Sequence, residues 1–392
     1  HGIFAVPGLL AAASIPASLR RTAVATAALS VAVGMMVAVA LMIGSFRETV
    51  AAWVAQTVQS DLWLRPSHGL GNGSEAVAVF PATISADLDG LPFIAAYDRF
   101  RSRNVVYHDR LVEIGSGDFE VGMRFGKLPM VSPGSSSEAL RDAIRKKGVI
   151  VSESFGLKFD KGVGDEVTLP TSSGMHPFPI TGVYRDYSSD RGLVVMDRAL
   201  YVSMFGDDSI STIAIFLRKG TDIEAARLAI EKRLGSKYRL FVLTNRNIRQ
   251  EVMRIFDQTF LITYALLVIS ILVAVLGIVN TLSALMLERR RELALLRVTG
   301  MTRGQLTAMS TLEATVIGIA ATVLGAASGW ALSWILIFVI NRQSFGWTIE
   351  FAAPWSTLAL LLVATFLATV LSGAIPARLV VRSDPIRHLK VE

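Results

Sequence analysis

The chain of 392 residues contains no cysteine. That excludes disulfides, thiolate metal sites and a cysteine nucleophile. Charge is scarce as well: 18% of residues are Asp, Glu, Lys or Arg, where about 25% is usual for a soluble domain. No Gly-x-x-x-x-Gly-Lys-Ser/Thr run is present, so any ATP hydrolysis falls to another chain. His-Glu-x-x-His and Gly-x-Ser-x-Gly are also missing, which removes two common hydrolase signatures. The histidines, His1, His68, His108, His176 and His388, lack zinc-ligand spacing, and no metal site is expected. Proline is absent from Asn247 until Pro354, which leaves that stretch without its strongest helix breaker.

What is present is apolar. Hydrophobic residues make up 52% of the chain, and the mean hydropathy is +0.49. A bilayer core of about 30 Å takes roughly 20 apolar residues in a helix. Four stretches meet that length: Ala23 to Phe46, Gln258 to Leu287, Gly304 to Asn341 and Phe351 to Ala377. Residues 1–22 precede them as an apolar linker or elbow, in which Pro7 and Pro16 disfavour a spanning helix. Ala38-Val39-Ala40 resembles a signal-peptide cleavage site, but the apolar run is long for one and three more follow.

The net charge of +7 and pI near 9.8 raise the question of nucleic acid. The positions of the charges answer it. Arg20 and Arg21 precede the first stretch. Arg289, Arg290, Arg291, Arg297 and Arg303 lie between the second and third, and Arg378, Arg382, Arg387 and Lys390 follow the fourth. Short loops rich in Lys and Arg stay cytoplasmic. The expected protein is therefore a multi-pass membrane protein with both ends and the 288–303 loop inside, a tail at 378–392, and residues 47–257 outside. Topology accounts for the basic charge, and no nucleic-acid partner is expected.

Residues 47–257 have the pattern of a mixed α/β domain. "DLWLRP", "GVIVS", "DEVTLP", "PITGVY", "STIAIFL" and "YRLFVL" have strand character. "DIEAARLAIEKRLG" has helical spacing and ends at Gly235. "HGLGNGS" and "SPGSSS" are loops. Two subdomains are expected. Asp186 and Asp190 in "DYSSDRG" fail the EF-hand pattern and are expected to sit in a solvated turn. Asn247, with Gln250 three residues on, is a candidate N-cap for a helix that continues to Leu287. At 1.5 Å per residue that helix is about 60 Å long, twice the bilayer core, and its outer part would form a stalk.

The 288–303 loop is the most specific stretch. Glu288 to Thr299 forms a short helix in which Glu288–Arg291 and Arg289–Glu292 are spaced to pair. Leu293 and Leu296 share a face, and Gly300 suits a C-terminal cap. Such a helix, held between two spans, could receive a push from a soluble partner. Glu313 is the only acid within an apolar stretch; about 15 Å along the helix from Arg303, it fits the inner headgroup region better than a proton relay. Gly325 and Gly329 form a small-xxx-small pattern, which allows close helix packing within a bundle or across a dimer.

"LERRRELALLRVTGMTRGQL" resembles the cytoplasmic loop of the FtsX-like, MacB-type permeases of ABC transporters. The matching positions are Glu288, Arg290, Arg291, Glu292, Leu293, Leu296, Arg297, Gly300, Arg303 and Gln305. "GVIVSESFGLKFDKGVGDEVTL", Glu313 with Gly318, Gly325 and Gly329, and "IPARLVVRSDPIRHLK" are similar to further family segments in the same order. The apolar start and "NRQSFGWTI" resemble the second half of a ten-span subgroup.

The resemblance implies four transmembrane helices with a MacB-type α/β extracytoplasmic domain between the first and second. It implies a dimer, or a pairing with a second permease half, and a soluble ABC-type ATPase that carries ATP and Mg. No cofactor is then held in this chain. Glu288, Arg290, Arg291, Glu292, Leu293, Leu296, Arg297 and Gly300 would dock the ATPase. Its stroke would move the outer domain to export or extract a lipid, lipoprotein or hydrophobic compound, with an extracytoplasmic adaptor as a further partner. Two other readings stand beside this one: an ATP-gated scaffold that controls an extracytoplasmic enzyme, and a membrane-anchored enzyme, which the missing catalytic motifs disfavour.

Overall fold

A computed structural model describes residues 19–67, 78–288, 295 and 298–382. It divides into two compact units. One is helical and comprises His1–Phe46, Gln258–Ile340 and Glu350–Glu392. The other is α/β and comprises Arg47–Asp257 and Asn341–Ile349.

The α/β unit is built on ten strands: β1 (Leu62–Pro66), β2 (Ile94–Tyr107), β3 (Arg110–Gly117), β4 (Met130–Ser132), β5 (Val149–Ser152), β6 (Glu166–Thr171), β7 (Gly174–Tyr184), β8 (Leu193–Asp197), β9 (Thr212–Leu217) and β10 (Leu240–Thr244). Their order is β10-β1-β9-β2-β3-β8-β5-β7-β4, with β6 on β7. The pairs β3/β8 and β5/β7 are parallel and the rest antiparallel, so the sheet is mixed as the α/β expectation required.

The long β2 explains how two cores share one sheet. Its first half pairs with β9 up to Phe100, and its second half pairs with β3 from Arg101 onward. On the β9 side Leu62, Leu64, Ile84, Ile213, Ile215 and Ile230 form one core. On the β3 side Ile114, Val151, Phe155, Phe178, Val194 and Tyr201 form the other. Helices α2 (Ile84–Asp89) and α7 (Ile223–Leu234) cover the first core, and α5 (Glu153–Phe159) and α6 (Arg198–Phe205) the second, while α3 (Phe119–Phe125) and α4 (Ser136–Lys146) pack in a further cluster with Ile150, Leu193 and Val195. Side chains start most of them. Ser135, Ser152, Asp197 and Asp222 each accept a backbone N–H in the first turn, satisfying donors the helix leaves open.

In the helical unit, α1 (Leu19–Thr57), α9 (Arg303–Trp334) and α11 (Trp355–Arg382) pack around Leu29, Val33, Met36, Leu41, Ala314, Ile317 and Leu358. A π-helical segment, Ile335–Ile340, and α10 (Asn341–Phe345) follow α9. Glycines set the closest approach. A Cβ at Gly329 would lie 2.4 Å from the Gly34 carbonyl oxygen, and one at Gly325 would lie 2.6 Å from the Val33 Cβ. Ser45, fully buried on α1, donates to the Ala352 carbonyl and accepts from its N–H, both at 3.1 Å. Among the described residues, Thr22–Thr57 and Gly304–Phe345 are long and apolar enough to cross a membrane, and Trp355–Leu371 is a shorter apolar helix.

The helix α8 (Asn245–Glu288) is continuous through all 44 residues, about 66 Å at 1.5 Å per residue. Its start differs from the Asn247 cap expected from sequence. The Thr244 hydroxyl accepts from the Asn247 N–H, and the helix begins at Asn245. Asn245 is used differently: its amide donates to the carbonyls of Val58 and Ser60, at 2.8 and 2.9 Å. A threonine one position before the helix supplies the same kind of oxygen acceptor while releasing the asparagine for that contact.

Candidate functional site

Two helix ends pair within the α/β unit. The last turns of α1 run antiparallel to the first turns of α8. Arg47 meets Asp257 at 3.3 Å, and Arg249 donates to the Val58 carbonyl at 3.2 Å. The ion pair is half-exposed on both sides, so it is worth at most about 1 kcal/mol and acts mainly on register. The backbone contacts of Asn245 and Arg249 fix the far end.

At the other end of α8, Glu288 is the last helical residue. Arg290, Arg291, Glu292, Leu293, Leu296 and Arg297 lie outside the described residues. Leu295 and Val298 are helical and exposed. Gly300 has φ +105°, a conformation that a side chain strains. Thr302 then opens α9 with a reciprocal cap: its hydroxyl accepts from the Gln305 N–H at 3.3 Å, while the Gln305 side chain accepts from the Thr302 N–H at 2.9 Å. Thr-x-x-Gln is the sequence signature of such a cap. Gly300 and this cap fix the exit of the 288–303 loop.

Further along α9, Glu313 is half-buried next to the fully buried Ala314. A Cβ at Gly318 would lie 3.2 Å from the Thr369 Cγ2 on α11, while Gly325 and Gly329 face α1. The three glycines therefore sit at contacts within this chain. Trp330 packs on Phe351 and Trp355, at 5.3 and 5.8 Å between ring centroids, and Trp334 on Phe338. Aromatic clusters of this kind are typical of a membrane–water interface.

The connection between α9 and α11 carries contacts that sequence reasoning missed. Thr348 donates to Glu153 through its hydroxyl at 2.6 Å and its N–H at 3.2 Å. Tyr187 donates to the Thr348 carbonyl at 2.7 Å. The Tyr187 ring sits edge-on to both Trp53 of α1 and Trp347, which stacks on Phe345. Gly346, at φ +71°, brings its backbone against Ser154; a Cβ there would lie 3.1 Å from the Ser154 Cα.

A polar network occupies the middle of the α/β unit, where β2 changes partner. The Asp118 carboxylate accepts from Arg99 Nη2 at 2.6 Å and Nε at 2.9 Å. The Asp118 N–H donates to Asp98 at 2.7 Å, and the Phe119 N–H donates to Asp197 at 3.3 Å. Burial pushes the Asp98 carboxyl up to about 7, against the pull of that backbone N–H and with added repulsion from Asp118. Asp207 goes the other way, to about 2. Burial opposes its ionisation, but hydrogen bonds from Ser209 and Arg101 outweigh it.

The Asp186 expectation needs correction. Asp186 is 6% exposed, not solvated. It accepts from the Ser188 N–H at 2.8 Å and from the Tyr184 hydroxyl at 3.4 Å. Burial raises its carboxyl above the usual range. No group of ligating side chains suited to a metal ion occurs among the described residues.

Long helices with a mixed α/β unit inserted after the first define the class, and comparison with known families gives it a name. The MacB-like periplasmic core domain matches residues 22–233, and the FtsX-like permease C-terminal domain matches residues 264–385. The chain belongs to the FtsX-like, MacB-type family of ABC transporter permeases. It is 31% identical over 94% of its length to an uncharacterised ABC transporter permease protein of Mycobacterium tuberculosis, of which it covers 43%. It is 25% identical over 77% of its length to the macrolide export ATP-binding/permease protein MacB of Chromobacterium violaceum, of which it covers 46%. The chain thus spans about half the length of the curated relatives it matches. The periplasmic region of MacB from Actinobacillus actinomycetemcomitans aligns with a TM-score of 0.37 at 13% identity, covering 51% of this chain and 95% of that one.

Proposed function

We propose that this chain is the permease subunit of an ABC transporter, a multi-pass inner-membrane protein that converts ATP hydrolysis by a separate ATPase into movement of its extracytoplasmic α/β unit. The observation that carries the reading is α8. One unbroken helix reaches from the stalk, where Asn245 and Arg249 tie it to α1, to the edge of the arginine-rich loop at Glu288. A continuous helix transmits displacement along its axis without a joint to absorb it. The family's ATPase partners act on the cytoplasmic side. In this chain Arg290, Arg291, Glu292, Leu293, Leu296 and Arg297 are the docking candidates, with Glu288 and Gly300 at the two ends of the loop. Glu313 serves as a headgroup-level anchor. Four membrane crossings, pairing with a second permease copy or half, and an extracytoplasmic adaptor complete the reading.

The cargo is a lipid, lipoprotein or hydrophobic compound that leaves from the outer side. Relatives named for export of macrolides and of pyoverdine support export as the direction. The test is purification in mild detergent with native partners, mass spectrometry of what co-purifies, and an ATPase assay. A stoichiometric ATPase, lost or uncoupled in Arg297→Glu at normal expression, is the expected result. Full ATPase binding and coupling in that variant would remove the docking role.

A further inference from the structure

The segment Asn341–Ile349 belongs to the α/β unit although it joins two helices of the other unit. Its attachment is specific. The Glu153 carboxylate accepts two hydrogen bonds from Thr348, at 2.6 Å from its hydroxyl and 3.2 Å from its N–H. The Tyr187 hydroxyl holds the carbonyl of the same residue. Asn341, itself buried, donates to the Trp347 carbonyl at 2.9 Å and closes the segment on itself. Tyr187 also touches Trp53 on the stalk, so one side chain meets both routes into the α/β unit. Ile349 is buried at 2% exposure, which anchors the end of the strap.

We infer that Asn341–Ile349 is a second force-transmitting link, a strap through which α9 and α11 pull on the α/β unit, with Glu153, Tyr187 and Thr348 as its positioning residues. This rests on the reading of the chain as a transducing permease. The paired α1 and α8 are one attachment of the α/β unit. A strap engaged at α5 and at the loop after β7 gives a second point of attachment, and two points define a rotation where one allows swivelling. Neither Glu153 nor Tyr187 belongs to a hydrophobic core, and Tyr187→Phe keeps the ring that packs on Trp53 and Trp347 while removing the hydroxyl.

The test uses the full complex with its co-purifying ATPase in lipid nanodiscs. Because the chain has no cysteine, Met175→Cys and Leu360→Cys, both at exposed positions in different units, are its only labelling sites when the purified chain is spin-labelled before the ATPase is added back. Double electron–electron resonance then reads the distance distribution with and without vanadate-trapped nucleotide. The expected result is a nucleotide-dependent shift in the parent that falls by at least half in Thr348→Val/Tyr187→Phe, with ATP hydrolysis within about two-fold of the parent. Thr348→Ser, which keeps the hydroxyl donor, retains the shift. A merely structural role would lower thermal stability and hydrolysis together and would not separate the serine from the valine variant. An undiminished shift in Thr348→Val/Tyr187→Phe overturns the strap and leaves the transducer reading intact. No shift in the parent overturns both.

Discussion

Asp98 makes the α/β unit pH-dependent, and the sign can be worked out. Its carboxyl titrates at about 7 in the folded chain, against 3.8 for an unperturbed aspartate. An acid raised on folding contributes stability that is fully present below the unfolded value and is lost as pH rises through the folded value. Between pH 5 and pH 7 the unfolded carboxyl is ionised while the folded one holds its proton, so each pH unit costs about 1.4 kcal/mol. From pH 5 to pH 8 the loss approaches about 2.5 kcal/mol, an upper figure because Asp98 as a residue is only half-buried. Asp98→Asn removes the titration and keeps an oxygen that can accept the Asp118 N–H. The variant should match the parent near pH 4 and exceed it in the α/β transition at pH 8 by up to about 5–10 °C, taking about 2–4 °C per kcal/mol for a unit of this size. Thermal unfolding of the detergent-solubilised chain, followed by intrinsic tryptophan fluorescence at both pH values, reads the difference. Equal gains at pH 4 and pH 8, or none at either, would refute the assignment of a raised carboxyl to Asp98.

Two further outcomes follow from packing and from the stalk. Gly329→Leu places a Cβ 2.4 Å from the Gly34 carbonyl oxygen and should cost more than the roughly 1–3 kcal/mol of ordinary overpacking, because backbone must move; size-exclusion profiles should show loss of the monodisperse peak, whereas Gly134→Ala, with open space around it, should leave the profile unchanged. Arg47→Asp should weaken the α1/α8 stalk by less than about 1 kcal/mol, and Arg47→Asp/Asp257→Arg should restore it, as read by a double-mutant cycle on thermal midpoints.

The parts of the fold that the sequence displayed are those whose determinants are local. β9, α7 and β10 were legible because apolar alternation, the Asp222 cap and Gly235 lie within one short stretch. α8 was legible because nothing in it breaks a helix. The β2–β3 hairpin was not. Its turn places His108 and Asp109 at φ 44° and 60°, where Asn-Gly would have announced it. Arg99, Arg101 and Arg103 also interrupt its apolar pattern. Those arginines are tolerated because partners arrive from elsewhere: Asp118 lies 19 residues on and Asp207 lies 106 residues on, while the Phe205 ring lies 4.6 Å from the Arg103 guanidinium. The same reason hid the burial of Asp186, whose polar neighbours in sequence suggested water. It hid the strap most fully, since Thr348 and Glu153 stand 195 residues apart. A carboxylate and a hydroxyl carry no sequence mark of being partners. Their pairing depends on a fold that puts α5 beside the connection between α9 and α11, so a site whose function is to join distant elements is the one least visible in any single stretch.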